Sequence, residues 1–328
     1  MNEPRRAAEG FRYARQHMSP ALIEAIPNVS EGRDAARLDR FAAVIAGAGA
    51  TLLDRTADWS HHRAVFTFAA DGDHIQRAAA ALAAAAIAEI DLSTHAGVHP
   101  RIGALDVLPF VPLGSASMDD AVAIAHAVGR AIGETLRLPV FLYEAAARSA
   151  DRRPLEAVRR GGLDGLAARL REPAWQPDYG PAALHPTAGA MAVGARGALV
   201  AWNLVLDRPD LPLARHIART VRTSGGGLPC LKALGLALEH SGKVQVSLNL
   251  TDYRTTSMAD VYRAVDAAAR HAGAAIADSE VIGLVPRAAL DDLAGVAPEL
   301  AAQYRGQVLE DRLAACGLPP LAPAEPCA

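Results

Sequence analysis

Two histidines, an arginine and an aspartate fall within one short segment, H-A-G-V-H-P-R-I-G-A-L-D at residues 95–106. Its glycines and proline predict a loop. Imidazoles such as His95 and His99 titrate near pH 6.5, so they can accept and return a proton at neutral pH. Arg101 offers a planar fork of donors that suits a carboxylate. The alternative is that His99 only hydrogen-bonds within its loop. A second polar connection, D-R-T-A-D-W-S-H-H-R at residues 54–63, gathers Asp54, Asp58, His61, His62 and Arg63. Asp54 or Asp58 could orient a histidine, and Asp58 stands with His99 and Arg101 among the candidate catalytic residues. No metal is expected. Adjacent histidines do not easily face one ion, and no H-E-x-x-H pair is present.

Further candidates lie downstream, in Gly194-Ala-Arg196 and Trp202-Asn203. Gln245, Ser247 and Asn249 alternate with Val244, Val246, Leu248 and Leu250, which predicts a strand with one polar and one apolar face. That polar face is either solvated or the floor of a ligand site, where uncharged hydrogen-bonding groups would suit a heterocycle. Arg196, Asn203, Gln245 and Asn249 are accordingly candidate cofactor contacts. The triplet Gly225-Gly226-Gly227 follows a helix and lacks a following Gly-Lys-Ser/Thr, so it predicts a connection and not a phosphate loop.

These segments need elements to hold them. Hydrophobic periodicity predicts strand 21–27, helix 34–48, strands 51–55 and 64–69, helix 74–90 and strand 104–112, in the order βαββαβ. The same order returns as strand 198–206, helix 213–222, strands 231–238 and 243–250, helix 258–271 and strand 275–285. Between them lie a predicted helix at 118–136, a strand at 139–143 and a Pro/Gly-containing connection over 152–188. The expected fold is α+β, a tandem duplication of two ferredoxin-like subdomains with a ligand cleft between them. The expected divisions are a leader at 1–20, subdomains at 21–179 and 180–300, and a C-terminal helix with a frayed tail at 301–328.

Composition narrows the class. The chain has 328 residues, 51% of them apolar, enough for two buried cores. A net charge of −3 gives no basic field for nucleic acid. Three cysteines without metal-ligand spacing, and no secretory signal, predict a reduced, cytoplasmic setting. The Ala-rich run at 77–90 is shorter than the roughly 20 residues a membrane helix needs, so no membrane partner is expected.

Seven collinear motifs carry a family resemblance across most of the chain. They are I-P-N-V-S-E-G-R (26–33), H-A-G-V-H-P-R-I-G-A-L-D-V (95–107) followed by P-F-V-P, P-V-F-L-Y-E-A-A-A-R (139–148), W-Q-P-D-Y-G-P (175–181), G-A-R-G-A-L-V-A-W-N (194–203), Q-V-S-L-N-L (245–250) and E-V-I-G-L-V-P (280–286). With these, the sequence resembles the formiminotransferase domain found in glutamate formiminotransferases and formiminotransferase–cyclodeaminases. The resemblance implies formimidoyl transfer from N-formimidoyl-L-glutamate to tetrahydrofolate as co-substrate. It implies a catalytic histidine at His99, a folate-contacting segment at 180–189 with Gly180, Pro181, His185 and Gly189, and a homodimer. His62, Arg63 and Arg101 fall in matched motifs and are the expected substrate-binding residues. The chain ends soon after the last motif, so a separate cyclodeaminase is expected to act downstream. Two departures stand out: Val98 where the family commonly has Glu, and His62 where it commonly has Asn. They could mark a paralogue that moves formimidoyl or formyl groups between other amines; a non-catalytic folate-binding protein is a further alternative.

Overall fold

A computed structural model describes residues 21–59, 61–95, 101–238 and 242–321. The first half builds one mixed sheet. Its strands are β1 (Ala21–Ala25), β2 (Asn28–Val29), β3 (Thr51–Asp58), β4 (Arg63–Ala70), β5 (Leu105–Gly114), β6 (Val140–Glu144) and β7 (Met191–Ala195). Strands β3, β4, β1 and β5 are antiparallel neighbours in that order, and β2 extends the path of β1 between β4 and β5. Then β7 and β6 add in parallel beside β5.

One face of this sheet is covered by helices α1 (Ala35–Gly47), α2 (Gly72–Glu89) and α3 (Met118–Thr135). Alternation decides which residues face them: Ile23 and Ala25 of β1 and Phe66 and Phe68 of β4 enter this core with Phe41, Ile45, Ile75 and Leu82. Ala78, Ala79, Ala83 and Ala86 let α2 lie close to the strands. Each helix begins where a side chain takes up orphan amides. Asp34 accepts from the Arg37 amide at 3.0 Å, and Ser117 and Asp120 form a reciprocal capping box, worth about 1 kcal/mol per cap.

The second sheet has β8 (Val200–Leu206), β9 (Leu231–Leu238), β10 (Lys243–Leu250) and β11 (Ile276–Ile282), all antiparallel in the order β11-β8-β10-β9. Helices α6 (Leu211–Val221) and α7 (Met258–His271) pack on one face around Trp202, which is fully buried. In both halves the chain order is strand, helix, strand, strand, helix, strand, and the sheet order is fourth, first, third, second. The protein is thus a mixed α and β fold with two helix-backed sheets. Among the described residues no helix is long and apolar enough to cross a membrane.

Three features depart from the sequence reading. β7 lies beyond position 179 yet pairs within the first sheet, because all five of its residues are buried and need cover on both faces. The stretch read as a connection contains helices α4 (Leu155–Arg159) and α5 (Gly162–Arg169), whose Val158 and Leu166 pack on Phe141, Tyr143 and Ala192. After α8 (Arg287–Ala294) and α9 (Pro298–Gln303), helix α10 (Leu309–Ala315) returns to the first sheet and sets Leu309 and Leu313 against Leu22, Leu53, Ala69, Val111 and Leu113.

Glu24 lies on the face that α10 helps to cover and is 3% exposed. Burial raises its carboxyl from the usual 4.5 to about 7; Arg196 pulls it back and Glu310 pushes it further up. The folded pKa lies above the unfolded one, so stability is full below 4.5 and falls as pH rises through about 7. The loss above that pH is on the order of 3 kcal/mol. Glu24→Gln should therefore raise Tm at pH 8 and leave it nearly unchanged at pH 4.5. Equal shifts at both values would show that Glu24 is not a buried titrating group.

Candidate active site

The turn after β2 and the hairpin joining β3 to β4 form one wall. The Glu31 carboxylate, 3% exposed, accepts the Arg33 and Asp34 amides at 2.8 and 3.1 Å and the Arg37 guanidinium at 2.5 Å. Burial opposes its charge, but these donors win and hold its pKa at about 2. Its other contact is His62 Nε2 at 3.2 Å. Gly32 makes this approach possible: a Cβ there would lie 2.4 Å from the Asp58 carbonyl and 2.6 Å from the Arg63 amide.

His62 sits at φ 48°, a left-handed conformation uncommon for a side chain with a Cβ. Its ring stacks on His95 with centroids 3.9 Å apart, and His95 Nε2–H donates to the His62 carbonyl at 3.1 Å. Burial first, then the charges of Arg101 and His62, lower the His95 pKa to about 4. His95 is thus a neutral, fixed ring at pH 7. The candidate Asp58 meets His61, its Oδ2 lying 2.9 Å from His61 Nδ1.

Beside that turn, where Ser30 Oγ donates to the Gly103 carbonyl at 2.7 Å, a zipper joins two loops distant in sequence. The Leu92 amide donates to the Thr187 carbonyl at 2.8 Å, Ala104 to Ala188 at 3.0 Å and Ala190 to Ile102 at 2.7 Å. Two glycines allow it: a Cβ on Gly103 would lie 1.9 Å from the Ala190 carbonyl, and one on Gly189 2.3 Å from that of Ile102. Beside the zipper, Leu92, Ser93, Leu163, Leu184, His185, Pro186 and Gly189 line a cavity of about 210 Å³. The base of the loop is fastened by Asp106, which is 2% exposed. It accepts the Ile102 amide at 2.7 Å and pairs with Arg159 of α4.

The remaining sequence candidates spread outward from this point. His99 and Val98 lie outside the described residues. Arg101 reaches back toward the His95 carbonyl at 3.4 Å. Burial first, and then the Arg159 charge, lower the pKa of Arg63, while Asp106, Asp58 and Glu280 raise it. Asn203 donates to Glu280 at 3.3 Å, which places the second sheet's polar face in the same field. By register Asn203 and Ser247 pair, as do Val205 and Gln245, and Ala201 and Asn249. Gln245 and Asn203 are buried, Ser247 is half-buried and Asn249 exposed, so the face is covered at one end and solvated at the other. Arg196 donates to the Gly197 carbonyl at 2.9 Å and its charge acts on Glu24 and Tyr143. Gly180, at φ 82°, packs under the Leu138 carbonyl and Gly133 of α3, with Pro181 next in the chain; this end of the 180–189 segment makes a tight turn apart from the His185 and Gly189 end. Among the described residues no group of three His, Cys, Asp or Glu could hold a metal ion.

Residues 22–196 match the family model described as "Formiminotransferase domain, N-terminal subdomain", and residues 201–299 match "Formiminotransferase domain". The chain belongs to the formiminotransferase domain family. It is 41% identical to the "Glutamate formimidoyltransferase" of Streptococcus pyogenes serotype M1, over 89% of this chain and 98% of that one. It is 38% identical to the protein of the same name from Thermoplasma acidophilum, over 89% and 97%. Against the "Formimidoyltransferase-cyclodeaminase" of Gallus gallus it is 39% identical, over 83% of this chain and 52% of the relative.

For this member of the formiminotransferase family, sequence reasoning missed Glu31, Arg159 and Glu280 at the site. Glu31 had a usable signal: it stands in a matched motif three residues before the Asp34 cap, where a carboxylate can collect free amides. Glu280 likewise opens a matched motif, at 280–286, while Arg159 carried no signal, since it reads locally as a solvated charge.

Proposed function

We propose that this protein transfers the formimidoyl group of N-formimidoyl-L-glutamate to N5 of tetrahydrofolate, releasing glutamate. The observation that carries this reading is the zipper that joins residues 102–104, next to the His-Pro-Arg segment, to residues 188–190 beside a cavity. Residues 102–104 belong to one of the motifs on which the family resemblance rests, residues 188–189 to the segment that the resemblance implies contacts folate, and the relatives named for this reaction match nearly their whole length.

The reaction needs N5 to attack the amidine carbon, a tetrahedral adduct to form and the donor's amine to leave with a proton. In this reading His99 takes the N5 proton and passes it to the leaving nitrogen. Arg63 and Arg101 hold the donor's carboxylates and Arg196 a carboxylate of the folate tail, each through a guanidinium fork. The reading further takes the two sheets, with their shared strand order, as ferredoxin-like subdomains with the folate between them. It includes a homodimer in the cytoplasm.

Purified protein mixed with tetrahydrofolate and N-formimidoyl-L-glutamate should show the absorbance of 5-formimino-tetrahydrofolate and release glutamate in equal amount. Folate binding without turnover would sink the assignment. His62 favours a second reading, a different amine donor, because its ring stands where the family resemblance implies an asparagine and pairs with Glu31. Faster turnover with another formimidoyl amino acid would select it.

A further inference from the structure

Trp59 and Leu234 are the large hydrophobic side chains left exposed among the described residues, at 59% and 57%. A single exposed tryptophan needs no explanation by itself. Trp59 differs in its neighbours. It ends the β3 side of the hairpin that carries His61, His62 and Arg63, and the tight Gly32 contact clamps that hairpin to the Glu31 turn. The Arg33 guanidinium lies 5.3 Å from the indole centroid, and its Nε donates to the Trp59 carbonyl at 3.1 Å.

Glu31 accepts the Arg33 backbone amide, and among the described residues no carboxylate stands at ion-pair distance from the Arg33 side chain. Its charge nevertheless reaches Arg101, where it acts against that guanidinium's own charge. Two cations that repel each other, Arg101 at the His95 carbonyl and Arg33 beneath an exposed aromatic ring, fit a ligand that brings both a flat ring and an anion.

We propose that Trp59 and Arg33 form a rim subsite for the aminobenzoyl-glutamate arm of the folate, with the benzoyl ring against the indole and a glutamyl carboxylate on the guanidinium. This rests on the folate reading above and assigns two residues that it does not use. Ring stacking and a rim ion pair act on binding of the arm, not on the pterin.

The test compares folinate with 5-formyl-tetrahydropterin, which lacks the arm, on the full-length chain by calorimetry. Trp59→Ala should weaken folinate about three- to tenfold and leave 5-formyl-tetrahydropterin unchanged. Arg33→Gln should do the same. The indole is exposed, so Tm should not move in Trp59→Ala. Trp202 is fully buried and Trp175 lies under Arg169, so the emission lost in Trp59→Phe reports the exposed indole; folinate should quench it in the wild type. Unchanged folinate affinity in Trp59→Ala, or equal weakening of both ligands, overturns the subsite while leaving the folate reading in place. A wild type that binds neither ligand overturns both.

Discussion

Replacing His99 with alanine should lower kcat by about 10²–10⁴-fold, the usual worth of a positioned acid–base group. Folinate affinity should change far less. The transfer moves one proton from N5 to the leaving amine, and an imidazole with pKa near 6.5 can do both halves at neutral pH. The nearby candidate for that work is His95. Its pKa of about 4 leaves it a poor proton acceptor, and its ring is fixed by the His62 stack and carbonyl. His95→Ala should consequently act through the position of His62. Measured by single-turnover transfer, the His99 variant should lose the chemical step. Full activity in His99→Ala beside a dead His95→Ala would move the catalytic role four residues upstream.

Removing Arg159 should cost about 3–5 kcal/mol of stability, because it strands the Asp106 carboxylate in the interior. Arg63 shares the field of Asp106 and offsets part of the loss, so the lower end is the expected value. The effect should reach the reaction as well. Asp106 holds the Ile102 amide at 2.7 Å and so fixes the exit of the His-Pro-Arg loop. Arg159→Ala is expected to lower both Tm and kcat, and Arg159→Lys to recover Tm more fully than kcat, since lysine supplies the charge without the planar fork. Denaturant unfolding of Arg159→Ala, Asp106→Asn and the double variant gives the coupling between them. A coupling near zero would mean that the pair does not hold the loop.

Much of the architecture was legible because its signals are local. Residues 243–250 alternate without a break, and residues 258–271 begin at the Ser257–Asp260 capping box, so both elements could be bounded from the sequence. β7 was hidden for the opposite reason. Met-Ala-Val-Gly-Ala is a short apolar run with no period, and only its place between β5 and β6 makes it a strand. Helices α4 and α5 are too short to show a period, and their flanking glycines and arginines read as loop.

The site divides in the same way. His95, Arg101 and the hairpin histidines announced themselves by residue type. The zipper did not, because nothing near residue 103 says that it will meet residue 189. The second sheet's polar face was visible as a pattern, but its burial at Gln245 and exposure at Asn249 depend on what lies opposite.

That zipper also sets a schedule for synthesis. The loop beside the His-Pro-Arg segment meets Ser30 and Asp106 early, but its zipper partners at residues 187–190 come about 85 residues later in the chain, or roughly 4–17 s at translation rates of about 5–20 residues per second. A nascent chain could complete β1 to β5 on the ribosome and still lack the zipper. The first sheet is completed late, in one event, when the strand between β5 and β6 arrives.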